Sequence, residues 1–324
     1  MEIIWDFCEK WGEAVERVRL GKDGPEIPRL GVGGCPFGGH GWGRVDRREM
    51  TAAVHAALDA GLTFFDTADV YGLGQSEILL GQALQGRQAV IATKCGVRVE
   101  NGRTFYDNSP GWMVAACENS LRRLGRDCID VYQLHYRDGS PMEDILETFQ
   151  KLRESGKIRC FGLSNVGLSD LPELLPCRGE FVSIQNQYSL AHRAGEAEFL
   201  RLCRELDASP LTWGSLGQGV LTGKYDLSTS FGTDDRRSRE SYVNFQSETL
   251  ARNLQIVEVL RPIAGAHGVS VAAAAVRFIL DRLPGSVALC GVKRPDQLLT
   301  DALGWHLSPE ELAALDRVSR PDGY

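Results

Sequence analysis

Four side chains that can transfer protons or hold charge stand at or near the ends of short apolar runs. They are Asp66, Tyr71, Lys94 and His135. A lysine ammonium near a phenol favours the phenolate and lowers the pKa of the phenol, while a carboxylate keeps the lysine charged and in place. A neutral histidine can donate a hydrogen bond to a carbonyl oxygen. If the fold brings these residues together, we expect Tyr71 to transfer a proton to or from an oxygen atom.

The elements that must position these residues are apolar runs that alternate with helical patterns. The candidate strands are LGVGG (30–34), LTFFD (62–66), AVIAT (89–93), IDVYQL (129–134), IRCFGL (158–163), FVSIQ (181–185), SPLTW (209–213) and SVALC (286–290). Asp46 and Ser140-Pro141 stand where helices should begin. About eight strand–helix repeats in roughly 250 residues are typical of an α/β protein with a closed (β/α)8 TIM barrel. An open doubly wound sheet is the alternative, although it would normally stop near six strands.

Four segments lie outside these repeats. They are 1–17, an extra amphipathic helix; 18–29, a hairpin with Asp23-Gly24 at its turn; 226–246, a long polar segment in position for a lid; and 308–319, a helix with a capping box. We therefore expect one domain over residues 1–324, a barrel with an N-terminal hairpin and extra terminal helices.

The composition argues against several classes of function. The 324 residues are 43% hydrophobic and carry a net charge of -7, with no basic block that would bind nucleic acid. No apolar run reaches membrane-spanning length, and the N-terminal MEIIWDFCEK carries acids where an export signal carries bases. Nine cysteines without a CxxC pair predict a reduced, cytoplasmic protein. No two histidines have metal-ligand spacing, so no metal site is predicted.

Further polar residues follow the later strands. In a TIM barrel the functional residues lie at the carboxyl ends of the strands. The set comprises Ser164 and Asn165 after the fifth strand, Gln185 at the end of the sixth, Trp213 ahead of GSLGQG (214–219), and GVKR (291–294) after the eighth. We expect these residues to surround the same site as the first four.

Several long motifs occur in order along the chain. They are FFDTADVYGLGQSEILLGQAL, IATKCG, SLRRLGRDCIDVYQLH, GKIRCFGLSN, QNQYSL and GSLGQGVLTGKY. Through these motifs the sequence resembles the aldo-keto reductase superfamily. It is most similar to the branch that contains bacterial aldehyde reductases, sugar dehydrogenases and potassium-channel β subunits. The resemblance extends over residues 18–319, nearly the whole chain.

The resemblance implies roles for the residues already named. The first four would form a catalytic tetrad, with Tyr71 as the general acid in reduction and the base in oxidation. Ser164, Asn165 and Gln185 would hold the nicotinamide carboxamide, and Trp213 would stack on the nicotinamide ring. The pyrophosphate would lie along the next loop, where glycines permit close backbone approach. The residues implied there are Gly214, Leu216, Gln218, Gly219 and Lys224.

The adenosine end of the cofactor is implied to lie after the eighth strand. The residues there are Gly291, Lys293, Arg294, Gln297 and Asp301. Lys293 and Arg294 suit an adenosine 2′-phosphate because both donate hydrogen bonds to phosphate oxygens. Asp301 would oppose that phosphate if its carboxylate points inward. We therefore expect NADP(H) as the cofactor, with NAD(H) as the alternative.

The activity implied by the resemblance is the interconversion of an aldehyde or ketone and its alcohol by an NAD(P)-dependent oxidoreductase. The alternatives are an NAD-dependent sugar dehydrogenase and a nicotinamide-binding regulatory subunit with vestigial activity. The substrate would be a small carbonyl compound or a sugar, and we assign Phe37, Trp42, Tyr136 and Arg137 to its pocket. Arg137 could instead pair with Asp138. The sequence makes no prediction about the oligomeric state.

Overall fold

The computed structural model of the protein describes residues 15–39 and 41–320. In this part of the chain a barrel is preceded by a hairpin and followed by a C-terminal helix. Residues 1–14 of the predicted N-terminal helix lie outside the described residues. The last residue assigned to that helix, Arg17, instead begins a strand.

Parallel strands form the centre of the fold. In chain order the strands are β1 Arg17–Arg19, β2 Glu26–Pro28, β3 Leu30–Gly33, β4 Phe64–Asp66, β5 Val90–Cys95, β6 Val97–Glu100, β7 Arg103–Tyr106, β8 Ile129–Leu134, β9 Ile158–Ser164, β10 Phe181–Gln187, β11 Ser209–Trp213 and β12 Val287–Gly291. Strands β3, β4, β5, β8, β9, β10, β11 and β12 close into a barrel in that order. The closing pair is β12 with β3, where Cys290 lies opposite Val32. The predicted (β/α)8 barrel is confirmed, and the open sheet is wrong.

Helices follow the barrel strands. They are α1 Arg47–Asp59, α2 Gln75–Ala83, α3 Pro110–Leu124, α4 Met142–Glu154, α5 Leu171–Leu174, α6 Glu196–Leu206, α7 Ser247–His267, α8 Val271–Arg282 and α9 Pro309–Ser319. The predicted start of α1 is confirmed, because the Asp46 carboxylate accepts from the Arg48 N–H at 2.7 Å. The capping box of α9 is also present, since Ser308 and Glu311 each accept from the other's backbone N–H.

Some strand bounds differ from the prediction in ways that matter for the site. β4 begins at Phe64 rather than Leu62, because the Leu62 N–H still bonds the Ala57 carbonyl at the end of α1. β5 continues past the predicted end to Cys95, because Lys94 pairs with Gln133 of β8. Lys94 is therefore held by the barrel ladder itself and not by a loop.

The N-terminal hairpin closes one end of the barrel. β1 and β2 pair antiparallel with Val18 opposite Ile27, as the sequence predicted. Leu20 and Ile27 are fully buried in one cluster with barrel residues such as Leu211. The Gly21 N–H donates to the Ser209 hydroxyl at the first residue of β11. The amino ends of the strands are therefore covered, and the carboxyl ends form the open mouth.

The segment 226–246 connects two sides of that mouth. It follows β11 and touches the loop after β3, where the Arg236 N–H donates to the Gly41 carbonyl at 3.1 Å. The Arg237 guanidinium donates to both Asp235 oxygens, at 2.9 and 2.6 Å, and lies 4.2 Å from the Phe231 ring centroid. Since β12 lies between β11 and β3 in the barrel, the segment bridges the loops on either side of β12.

A second hairpin, β6–β7, was not predicted. Its turn is Asn101-Gly102, and both residues have left-handed backbone angles, with φ of 50° and 73°. An Asn-Gly pair between alternating residues is a strong hairpin signal. The stretch VRVENGRTFY (97–106) carried that signal in the sequence.

The described ranges, residues 15–39 and 41–320, contain neither a single membrane-spanning helix nor a metal-binding cluster. No single helix there is long and apolar enough to cross a bilayer; α7 and α8 reach that length and composition only as a pair bent by 94°. Residues 15–39 and 41–320 contain no group of three or more His, Cys, Asp or Glu side chains that could hold a metal ion. The absence of a metal remains a prediction.

Candidate active site

The open end of the barrel leads into a cavity of about 790 Å³. Asp66, Tyr71 and His135 all contribute to its wall. Lys94 is fully buried directly behind Asp66. The four residues named from the sequence therefore do meet at one place.

Asp66 and Lys94 form a buried ion pair at the base of the cavity. The Lys94 Nζ lies 2.6 Å from Asp66 Oδ1 and 2.8 Å from the Thr67 carbonyl oxygen. The side chains are only 5% and 0% exposed. Burial of either charge alone would be costly, so each requires the other.

Two glutamine side chains complete the surroundings of the Asp66 carboxylate. Gln133 Nε2 donates to Asp66 Oδ2 at 3.1 Å, and Gln185 Nε2 donates to the same oxygen at 2.8 Å. Gln133 was missed by the sequence analysis. Gln185 was assigned to the nicotinamide carboxamide, but its amide N–H groups are directed at Asp66 and Gln133. Both glutamines therefore help to hold the tetrad carboxylate in a single orientation.

Tyr71 and His135 lie next to this pair. Their rings meet edge to face, with centroids 5.9 Å apart and an interplanar angle of 82°. The Lys94 Nζ lies 5.2 Å from the centroid of the Tyr71 ring. A phenol and an imidazole therefore face the same cavity, beside a fixed positive charge.

The pKa of Tyr71 differs from the expectation. Burial raises the pKa of Tyr71 well above its usual value, neighbouring groups add to the rise, and the charge of Arg236 opposes it. The predicted net lowering of this pKa is wrong, because burial is the largest influence on the phenol and acts in the opposite direction. Tyr71 is therefore protonated at neutral pH, which suits a proton donor.

His135 is held in its neutral form. Burial, together with the positive charge of Lys94, lowers the pKa of His135 well below 6.5. Its ring stacks on Tyr136, with centroids 5.1 Å apart, and its Nδ1 is buried without a hydrogen-bond partner among the described residues. A neutral imidazole can donate a hydrogen bond to a carbonyl oxygen without taking up a proton.

The buried neutral histidine should make stability depend on pH. Below about pH 6.5 the unfolded chain binds a proton at residue 135 that the folded chain does not, so the free energy of unfolding falls as the pH falls. The slope from this residue reaches about 1.4 kcal/mol per pH unit. We expect His135→Gln to lose this slope between pH 6.5 and 5, measured by denaturant unfolding at several pH values. Parallel pH profiles for the wild type and the variant would contradict a neutral His135.

Asn165 links the tetrad to the Trp213 ring. It has a left-handed backbone (φ 56°), and its Nδ2 donates to the His135 carbonyl at 3.0 Å. Its Oδ1 accepts from Trp213 Nε1 at 3.1 Å, while the Ser164 hydroxyl donates to the Gln185 carbonyl. These bonds fix the Trp213 indole at the cavity wall, where a planar ring could stack on it.

The loop after β11 bends around the cavity through left-handed residues. Gly214, Gln218 and Gly219 have φ of 69°, 56° and 103°. All three line the cavity with Leu216 and Lys224. Positive φ at the two glycines lets the backbone itself form the wall, which allows a ligand to approach N–H groups closely.

The last residue of β12 and residues of the loop after it also line the cavity. They are Gly291, Lys293, Arg294, Gln297 and Asp301. Lys293 Nζ donates to the Trp42 carbonyl at 2.8 Å, and Arg294 is paired with Asp296 at 3.0 Å. Burial, followed by the charges of Arg237 and Lys224, lowers the pKa of Lys293. These cations lie close enough together to repel one another.

The Asp301 carboxylate accepts a hydrogen bond from the residue that caps α8. Its Oδ2 accepts from the Ser270 N–H at 2.9 Å, and the Ser270 hydroxyl caps the helix at Ala273. Both Asp301 and Ser270 line the cavity. A carboxylate here can accept a hydrogen bond from a sugar hydroxyl but repels a phosphate.

Two of the four residues assigned to the substrate pocket line the cavity, and two do not. Trp42 and Tyr136 line the cavity. Phe37 does not, because the turn Cys35–Gly38 directs it into the core, where it is 1% exposed.

Arg137 is also turned away from the cavity. It pairs with Asp170 at 2.8 Å and with Glu173, and not with Asp138. Residues that the sequence analysis did not name, Cys35, Arg236 and Tyr242, occupy the cavity wall instead.

The fold and the site together define a (β/α)8 oxidoreductase. A sequence profile described as the Aldo/keto reductase family matches residues 29–320, and the chain belongs to this family. It is 35% identical over 312 residues to aldo-keto reductase YhdN of Bacillus subtilis (strain 168), across 94% of this chain and 93% of that protein.

Solved structures of related proteins agree with this assignment. The glycerol dehydrogenase AKR11B4 from Gluconobacter oxydans is 34% identical with a TM-score of 0.84, over 93% of this chain and 94% of that one. An aldo-keto reductase from Klebsiella pneumoniae, solved in complex with NADPH, is 28% identical with a TM-score of 0.73, over 96% and 97% of the two chains.

Proposed function

We propose that the protein is an NADP(H)-dependent enzyme that interconverts an aldehyde or ketone and its alcohol, with Tyr71 as the proton donor in reduction. The observation that carries this proposal is the convergence of a protonated Tyr71, a neutral His135 and the Asp66–Lys94 pair on one cavity. Each group has the charge state that protonation of a carbonyl oxygen requires.

The cavity wall fits a nicotinamide dinucleotide. Trp213 offers a ring face near the tetrad, and Gly214 and Gly219 offer backbone along the middle. Lys224 and Lys293 offer positive charge for phosphates beyond that point. When bound, the cofactor supplies the hydride in reduction and accepts it in oxidation. The similarity to an aldo-keto reductase solved with NADPH supports the same cofactor here.

The chain's own residues would hold and protonate the substrate oxygen. His135 would donate a hydrogen bond to the carbonyl oxygen, and Tyr71 would transfer its phenolic proton to the same atom. The nearby Lys94 ammonium would stabilise the phenolate that remains, while Asp66 keeps that ammonium charged and in place. In the oxidation direction, the Tyr71 phenolate would take the proton from the alcohol.

The test is the loss of reduced-nicotinamide absorbance with NADPH and NADH in parallel, against aromatic, aliphatic and sugar aldehydes. We expect turnover with at least one aldehyde and a higher kcat/KM with NADPH. Tight cofactor binding without turnover in either direction would contradict the proposal and favour a regulatory subunit.

Oxidation of a polyol or sugar is the second candidate. The 34% identity to a glycerol dehydrogenase favours it. Turnover of glycerol or an aldose with NADP⁺ or NAD⁺, faster than any aldehyde reduction, would support this direction. The same tetrad would serve, with Tyr71 acting as the base.

The cofactor preference should change in opposite directions in two variants. Lys293→Ala removes a cation and should lower the ratio of NADPH to NADH affinity, while Asp301→Asn removes a repelling carboxylate and should raise it. The change in Lys293→Ala should be about tenfold or more, because a hydrogen bond to a charged group contributes about 1.5–3 kcal/mol. Kd values from tryptophan fluorescence quenching provide the measurement. If a variant changed the Kd of NADPH and the Kd of NADH equally, the substituted residue would not lie at the 2′-phosphate site.

We also propose a reducing, cytoplasmic setting for the enzyme. The cysteines that the structure describes, Cys35, Cys95, Cys117, Cys128, Cys160, Cys177, Cys203 and Cys290, are all free thiols. Secreted proteins of this cysteine content commonly pair them.

A further inference from the structure

We propose that Arg236 binds an anionic group of the substrate, so that the preferred carbonyl compounds carry a carboxylate or a phosphate. This inference rests on the proposed function, because it assigns a substrate class to the same cavity. It comes from a guanidinium that lines the cavity and has no partner there.

The position of Arg236 is fixed at the cavity mouth. It opens the turn Arg236–Ser238, and its backbone N–H donates to the Gly41 carbonyl at 3.1 Å. Its guanidinium carbon lies 5.9 Å from the centroid of the Trp42 ring. A Cβ atom at residue 41 would lie 2.5 Å from the Arg236 Nε, so the side chain passes where only glycine leaves room. The loop after β3 therefore orients this arginine.

The Arg236 side chain has no acceptor in the described part of the chain. Its Nε is buried without a hydrogen-bond partner, and the side chain forms no ion pair with any described residue. Its neighbour differs: Arg237 is bound by Asp235 through two hydrogen bonds and by the Tyr225 hydroxyl. A buried guanidinium N–H without an acceptor is unfavourable, and a bound anion would supply the missing acceptor.

Carboxylates near this end of the cavity already have cationic partners. Asp66 is paired with Lys94 at 2.6 Å, and Asp235 is paired with Arg237 at 2.6 Å. Neither carboxylate is therefore available to neutralise Arg236. A bound anionic ligand can supply that negative charge.

The charge of Arg236 acts on the tetrad end of the cavity. It lowers the pKa of both Tyr71 and Cys35, against the larger rise that burial causes. The charges of Lys224 and Arg237 act on Lys293, whose pKa they lower. We assign Lys224 and Lys293 to the cofactor phosphates and Arg236 to the substrate.

Aromatic side chains line the same cavity as Arg236 and Tyr71. Trp42 and Tyr242 meet edge to face, with centroids 6.1 Å apart, and both line the cavity with Tyr136. These rings can cover the apolar part of a substrate. A guanidinium fork matches a carboxylate or a phosphate in two parallel hydrogen bonds. The geometry thus fits an apolar or short-chain carbonyl compound with an acidic group at one end.

The test compares matched substrates that differ in charge. The pairs are 4-carboxybenzaldehyde with its methyl ester, and glyceraldehyde 3-phosphate with glyceraldehyde. We expect the wild type to favour the anionic member of at least one pair in kcat/KM. In Arg236→Gln the ratio of kcat/KM for the anionic substrate to kcat/KM for the neutral substrate should fall about 10-fold to 100-fold, mainly through KM. In Arg236→Lys it should fall by less, because lysine keeps the positive charge but cannot form two parallel hydrogen bonds.

Arg239→Gln is the matched control. Arg239 carries the same charge three residues further along the segment, but it is exposed and does not line the cavity. In Arg239→Gln the ratio of kcat/KM for the anionic substrate to kcat/KM for the neutral substrate should equal that of the wild type. If the wild type reduced the neutral aldehydes at a normal rate and preferred neither anionic compound, the role of Arg236 alone would be overturned. The same would hold if the NADPH Kd of Arg236→Gln rose by the factor of about 10-fold to 100-fold expected for the substrate ratio, because Arg236 would then bind the cofactor. A wild type inactive on these four aldehydes but active on other carbonyl compounds would overturn this inference alone. Inactivity on the whole panel of aldehydes and alcohols would overturn the proposed function and this inference with it.

Discussion

Tyr71→Phe should lower kcat for carbonyl reduction by about 10²-fold to 10⁴-fold, the usual contribution of a positioned general acid. The substitution removes one hydroxyl group and keeps the ring that meets His135 edge to face. Because burial raises the pKa of Tyr71 well above its usual value, the lost group is a protonated phenol at neutral pH. The loss should therefore be a loss of proton transfer in the chemical step.

Cofactor binding should distinguish this effect from a change of fold. The NADPH Kd of Tyr71→Phe should stay within about threefold of the wild type, because the phenol is not among the groups that we assign to the dinucleotide. Tyr106→Phe is the control, since Tyr106 stacks on Tyr136 at 4.9 Å but is 48% exposed on the β7 strand. If Tyr71→Phe kept more than a tenth of the wild-type kcat, another group would have to be the acid.

The tetrad could be predicted because its residues interrupt or end apolar strands. Asp66 ends one apolar run in the sequence, and Lys94 follows another. Because the functional sites of TIM barrels lie at the carboxyl ends of the strands, both residues are expected at the same site. The direction of the Lys94 ammonium could not be predicted in the same way. It depends on a neighbouring carboxylate and on the Thr67 carbonyl, and both lie on another strand end. The expected lowering of the Tyr71 pKa was wrong for a different reason, because the depth of burial of the phenol has the largest effect on it.

Gln133 shows a signal that was present and not used. A glutamine inside the apolar run IDVYQL must satisfy its amide when it is buried. It does so on Asp66, as does Gln185 at the same carboxylate oxygen. The partner of such a residue is set by the register between strands, and a single sequence contains no direct record of that register.

The substrate side of the cavity was the least predictable part. Phe37 lies in the right loop but points into the core, because a single tight turn decides which side chains face the cavity. Arg236 lies about two hundred residues further on in a polar segment without apolar periodicity. Contacts with Gly41 and Trp42 bring it to the mouth. Loop conformation, unlike strand order, depends on such single contacts between distant segments.

Lys94→Met should destabilise the protein as well as abolish most activity. The substitution leaves the Asp66 carboxylate 4% exposed, with only the neutral donors Gln133 and Gln185. An unpaired buried charge typically costs about 3–5 kcal/mol of stability, so the guanidinium unfolding midpoint should fall clearly below that of the wild type. Turnover should fall with it, because the phenolate of Tyr71 loses the nearby ammonium.

The double variant Asp66→Asn/Lys94→Met separates the two effects. It removes both charges, and a neutral pair of similar volume often restores the stability that one lone charge takes away. We therefore expect its unfolding midpoint to return most of the way to the wild-type value while its turnover stays as low as that of Lys94→Met. A double variant less stable than either single variant would mean that packing, and not the unpaired carboxylate, explains the loss. If turnover recovered in the double variant, the Asp66–Lys94 ion pair would have no part in the catalytic mechanism, because the enzyme would be active without either charge.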